Sequence, residues 1–195
     1  MTKVSILLLG AALFRSCSWA QDAPPPTPEP SLAYTPPTQA ERLQTYLRHT
    51  FSIASVLEAG ARAGIDQARN VPGEWPQGAE GYAERFGSAF GSIAVRGTTE
   101  YLIADLFRED LRRSPCGSKC TTSAFKRAFD DTFTARKGDD GHRTFSVARL
   151  LGPVSAGVVV GAWRPDFGRR DIPREIGLNY GFAFVRNLIR DMVRH

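Results

Sequence analysis

Three histidines, three cysteines and a scatter of carboxylates are what this sequence offers for chemistry. His49, His142 and His195 stand far apart, and His195 is the last residue. Asp139 and Asp140 beside His142, in KGDDGHR, have the residue types of a metal site or an acid–base pair. A calcium loop of EF-hand type needs carboxylates at alternating positions and a closing glutamate, and these are missing. A catalytic dyad needs a nucleophile and a third, orienting group. The turn therefore reads as exposed. No G-x-S-x-G elbow, P-loop, H-E-x-x-H or paired-carboxylate motif occurs. Glu58, Asp66 and Glu100 lie on polar helix faces or beside glycines, where they meet only in three dimensions. No cofactor and no metal site is read from the sequence.

Cys116 and Cys120, in SPCGSKC, are the two cysteines left if an N-terminal signal is removed. An even count in an exported chain favours a disulfide, here closing a small loop between helices. The three-residue spacing is not that of a C-x-x-C redox motif, and no second cysteine or histidine pair stands nearby to complete a zinc site.

The elements that must position these residues begin after a leader. Residues 1–20 read as a signal peptide: Lys3 is its positive region, Val4 to Phe14 its apolar core, and Ser18-Trp19-Ala20 its cleavage site. The chain is then exported, periplasmic or extracellular. Cys17 offers a lipoprotein variant, and an uncleaved anchor is the other minor reading. Residues 21–37 hold seven prolines and read as a stiff, solvated, disordered spacer. The remaining residues, 38–195, are long enough for one domain with a real core. Apolar content of 42% and aromatic content of 10% are globular values.

Helical periodicity dominates that domain. Thr38 and Glu41 form a capping box for a helix over Gln39 to Arg69. A second stretch runs from Ala79 to Arg112, with a break expected near Gly97-Thr98. A third runs to Lys137 with Phe125, Phe129 and Phe133 as a core stripe. A fourth covers Thr144 to Trp163, kinked or restarted at Pro153. The last begins after Asp171. No alternating run reads clearly as a strand, so the expected fold is all-α, one compact bundle of about five helices.

Four segments carry a Gly-x3-Gly pair: Gly60/Gly64, Gly87/Gly91, Gly157/Gly161 and Gly177/Gly181. Residues four apart share a helix face, so each pair makes a notch for close helix packing or self-association. The uncharged stretch Leu150 to Trp163 is expected to be the buried rod around which the others cross. At 14 residues it is short for a bilayer span of ~20.

The net charge is +5. Residues 38–140 balance at 14 basic and 14 acidic, while residues 141–195 hold nine arginines against four acids. Arg186, Arg190 and Arg194 form a four-spaced stripe suited to an anionic membrane surface, although the helix dipole alone favours arginine there. Nucleic acid is not an expected partner of an exported chain without a recognisable binding fold.

The motifs AGIDQARNVP (Ala63 to Pro72), GYAERFGSAFG (Gly81 to Gly91) and GAWRP (Gly161 to Pro165) resemble an uncharacterised group of exported bacterial helical proteins with no assigned activity. The resemblance implies a helical fold and no substrate, cofactor or catalytic residue. The sequence thus points to a non-enzymatic exported helical domain with a structural or interaction role. Two readings stand beside it: a membrane-associated helical protein using Gly-x3-Gly packing and a basic final helix, and an enzyme whose site is assembled from dispersed carboxylates.

Overall fold

In the computed structural model, residues 34–113, 122–137, 140–165 and 167–193 are described. The signal peptide, Cys17, Cys116, Cys120, Asp139, Arg194 and His195 lie outside them, as does the spacer before Tyr34. Tyr34 to Pro37 form neither helix nor strand.

The domain is mostly helical. Helix α1 spans Gln39–Thr50 and opens on the expected capping box of Thr38 and Glu41. Ser52 then restarts the chain: its backbone is extended and its hydroxyl accepts from the Ser55 amide, so α2 spans Ile53–Ala68. The single first helix read from the sequence is therefore two, and the break leaves His49 at the end of α1. Helix α3, Ala79–Leu106, runs through Gly97 without a break. Gly97 serves a close approach instead, because a Cβ there would stand 2.1 Å from the Thr50 hydroxyl of α1.

Strands β1 (Glu109–Asp110), β2 (Thr134–Lys137) and β3 (His142–Phe145) form a small antiparallel sheet in that order. The all-α expectation misses this sheet, since the strands are short and carry charges rather than alternating apolar residues. Helix α4 (Ala124–Phe133) is capped by Ser123 and ends where β2 begins. Helix α5 (Val147–Val159) contains Pro153 without being ended by it, and a 3-10 turn follows over Val160–Ala162. Helix α6 spans Ile172–Val193.

The core is built of small residues. Ala59, Ala63, Ala128, Ala148 and Ala156 are fully buried, and Ile93 and Val160 are its largest buried aliphatics. The Leu150–Trp163 stretch is correspondingly inside-out. Gly152, Pro153, Ala156 and Gly157 face inward against α3 and α6, whereas Leu150, Leu151, Val158 and Val159 are exposed. Phe125 and Phe129 are also exposed, so the phenylalanine stripe is not core.

The glycine pairs divide. A Cβ on Gly157 would stand 2.5 Å from Ile176 Cγ1, and one on Gly161 would stand 2.8 Å from Phe167 Cδ1. Gly60 and Gly91 meet only ordinary side-chain contacts, from Tyr82 and Trp163. Gly64, Gly87, Gly177 and Gly181 have nothing within 4 Å. Four close crossings therefore reduce to one between helices, α5 against α6 at Gly157.

Candidate functional site: an arginine-lined cavity

Small inward residues leave room for long polar ones, and the interior fills with charge. Glu58 on α2 takes Arg96 of α3 at 3.1 Å and Arg186 of α6 at 3.3 Å. Arg62 pairs with Glu175 and donates to Asn179 Oδ1 at 3.0 Å. Arg96 donates to the Asn179 carbonyl at 3.3 Å, joining the two groups. Arg164 continues the chain to Glu175 at 3.4 Å and Asp66 at 3.6 Å. Two of the dispersed carboxylates, Glu58 and Asp66, thus lie in ion pairs that hold helices together. Burial raises the Asp66 pKa, against the lowering field of Arg164.

The three sequence motifs supply much of the structural chemistry around this interior. Arg85, fully buried, donates to the Gln67 side chain at 2.7 Å and to the carbonyls of Val71, Pro72, Trp75 and Pro76. Gly81 must lack a side chain, because a Cβ would stand 1.6 Å from the Pro76 carbonyl oxygen. Trp163 donates to Ser88 at 3.0 Å. These contacts fix the loop after α2 and place no reactive group.

Beside the ion-pair chain lies a polar cavity between α1, α3, α4, α5 and α6, with a volume of about 40 Å³. Its guanidinium groups come from Arg113, Arg149, Arg186 and Arg190, and its carboxyls from Glu100 and Asp131. Asp131 lies 3.7 Å from Arg113. Arg186 is committed on one side to Glu58, but its Nε is buried without a partner. Arg149 is 9% exposed, and among the described residues its guanidinium donates only to the Leu111 carbonyl, at 3.1 Å. No carboxylate stands within ion-pair distance of it among the described residues. Glu100, one α3 turn beyond Arg96, likewise has no hydrogen bond or ion pair among them.

Local structure accounts for this convergence. Ser146 caps α5, and the buried Glu109 carboxylate accepts from the Val147 and Ala148 amides at 2.8 and 3.2 Å. Negative charge at a helix N-terminus is favourable. It also fixes the first turn of α5, from which Arg149 points inward. Asn187 donates to Thr132 at 2.9 Å and lines the same cavity from α6.

The field inside is positive. His49 is pushed down to about 3, chiefly by burial and then by Arg186, Arg190, Arg113 and Arg149. Burial lowers Arg113 and Arg186 to about 10, with neighbouring arginines adding to the effect. Burial also lowers Arg149, against the raising fields of Glu100 and Asp131, and raises Glu100, against Arg96 and Arg149. An imidazole held neutral, a carboxyl biased toward its neutral form and clustered guanidiniums leave the cavity with an excess of positive charge.

The sequence-stated sites fall differently. Of the Arg186–Arg190–Arg194 stripe, Arg186 and Arg190 are described, and both line the polar cavity and are half-buried. His142 is exposed and pairs with Asp140 at 2.7 Å in the hairpin turn. Arg113 and Glu109, at the charged end of the second helical stretch, are both withdrawn from solvent. Arg149 borders the uncharged stretch and His49 stands apart from the other histidines, so neither carries a sequence signal of a site. No family model, curated protein or solved structure matches the chain.

Proposed function

We propose that this chain is a non-enzymatic, exported helical domain that takes up a small anionic group, a carboxylate or a phosphate, in the arginine-lined cavity. The observation that carries the reading is Arg149: a guanidinium nine-tenths buried, facing a cavity, with a single carbonyl as its partner. Burying an unpaired charge costs several kcal/mol, a cost that an anion bridging Arg149 and Arg186 would remove. The cavity's 40 Å³ is room for roughly three water molecules, which suits one carboxylate or a similar head and little more. Arginine is suited to such a task by its planar fork of donors.

The enzyme alternative asked for dispersed carboxylates converging in one pocket. Glu58 and Asp66 are held by arginines, so of these three carboxylates Glu100 is the one that lines the cavity. A membrane-surface reading draws support from the exposed Ile53, Leu57, Ile189 and Met192, although no helix among the described residues is long and apolar enough to cross a bilayer.

Calorimetric titration of the purified chain with acetate and with inorganic phosphate tests the proposal. One of the two should bind at a single site and lose at least tenfold in affinity in Arg149→Met. Equal binding by the variant, or none by either protein, would remove the reading.

A further inference from the structure

The polar cavity has an apolar neighbour. Between α2 and α6, which touch at few points, runs a groove of about 500 Å³ lined by Leu57, Ala61, Phe182, Val185, Ile189 and Val193. That volume lies within the range of roughly 300–1,000 Å³ usual for small-molecule sites. Its polar lining consists of Glu58, Arg186 and Arg190. Arg186 and Arg190 line the polar cavity as well, so the same two side chains border both spaces.

We infer that the anion is the head of a single-chain amphiphile, a fatty-acid-like carboxylate whose hydrocarbon lies in the α2–α6 groove while its carboxylate meets Arg186 and Arg149. The inference rests on the anion reading above. Arg186 is already turned to Glu58 at 3.3 Å, and its Nε stays buried without an acceptor. A carboxylate arriving from the groove meets this guanidinium first. The chain behind it covers Leu57 and Val185, which are 67% and 47% exposed.

Charge selects this occupant over a second copy of the chain. An apolar helix laid in the groove would cover Arg186 and still leave its buried Nε without an acceptor. One carboxylate on one hydrocarbon chain supplies both the charge and the apolar area. A phospholipid head with its glycerol is too large for a cavity of about 40 Å³.

The test is a binding series on the delipidated full chain, using acetate, decanoate and decanol, each below its micelle or solubility limit. The roughly eight additional methylenes of decanoate should tighten it over acetate by about 100-fold or more, since each buried methylene favours binding severalfold. Arg149→Met should weaken both acids at least tenfold. Ile189→Gln, at a half-exposed groove position, should weaken decanoate at least tenfold and leave acetate and the melting temperature unchanged. Decanoate binding no better than acetate would overturn the inference while the anion cavity stands. Binding of neither acid would remove both. Decanol binding as tightly as decanoate would overturn the pairing of head and tail, as would a stable dimer in sedimentation that decanoate leaves unchanged.

Discussion

Arg186 of α6 reaches Glu58 of α2 at 3.3 Å and, in doing so, stands between two spaces of opposite character. On one side lies the cavity of Arg149, His49 and Glu100, and on the other the apolar groove. That single contact ties the helix-holding ion pairs to the receptor proposed for this domain, and each consequence can be measured.

Arg149 is positioned at a cost to the fold. Arg149→Met keeps much of the side-chain volume and removes a buried, nearly unpaired charge. In the absence of ligand, urea unfolding should show the variant more stable than the parent by about 1–3 kcal/mol, following the behaviour of buried charges replaced by apolar groups. A loss of stability would mean that Arg149 already has its counter-charge in the free protein.

Glu175 should behave in the opposite way. It accepts from Arg62 and Arg164 and is 2% exposed. Glu175→Gln leaves two guanidiniums under-neutralised, so the domain should lose about 3–5 kcal/mol in the same assay. A loss below 1 kcal/mol would show that the ion-pair chain is not what joins α2, the 160s turn and α6.

His49 sets a pH dependence whose sign can be worked out. Its folded value is about 3, against the ordinary 6.5. Between these values the unfolded chain binds a proton that the folded chain does not. The stabilising contribution is therefore fully present above pH 6.5 and is lost as pH falls toward 3. Arg113, Arg149, Arg186 and Arg190 depress the imidazole, and Glu100 and Asp131 face the same space. A bound anion offsets those arginines and raises His49 from about 3, so anion affinity should tighten as pH falls below the midpoint of the bound form. An NMR titration of the His49 ring should give a midpoint near 3 without ligand and a higher one with it. A midpoint near 6.5 in both cases would contradict the positive cavity.

Glycines at the two ends of the sequence argument should respond with opposite signs. Gly157→Ala forces a Cβ to within 2.5 Å of Ile176 Cγ1 and 3.0 Å of its backbone nitrogen, so stability should fall by about 1–3 kcal/mol. Gly177→Ala meets nothing within 4 Å on a helix, so it should gain up to about 1 kcal/mol from helix propensity. Thermal melts of the pair decide it, and a destabilised Gly177→Ala would restore the close crossing that the structure does not place there.

Much of the helical frame was legible from residue spacing. The Thr38–Glu41 box, the stop after Ala68 and the restart after Asp171 are local signals, and local signals survive folding. The sheet was not legible, because Glu109–Asp110 and Thr134–Lys137 are strands through their partners rather than through their own propensity. The interior was read with the wrong polarity. On α5 the small residues face inward and most aliphatics outward, and on α6 the buried residues are Glu175, Asn179, Ala183 and Asn187, so apolar periodicity marked the more exposed faces. The charged residues Glu58, Arg62, Arg96 and Arg149, which a periodicity rule assigns to solvent, are the buried ones. A site built from such groups is invisible until the helices are placed, since its members come from five of them.

The most direct test of the central claim is a side-chain NMR titration of the arginine Nε–Hε resonances with acetate and with decanoate. The account predicts saturable shifts of Arg113, Arg149 and Arg186 at one common midpoint, abolished in Arg149→Met. Shifts confined to exposed arginines such as Arg69 and Arg170, linear in ligand concentration, would contradict it.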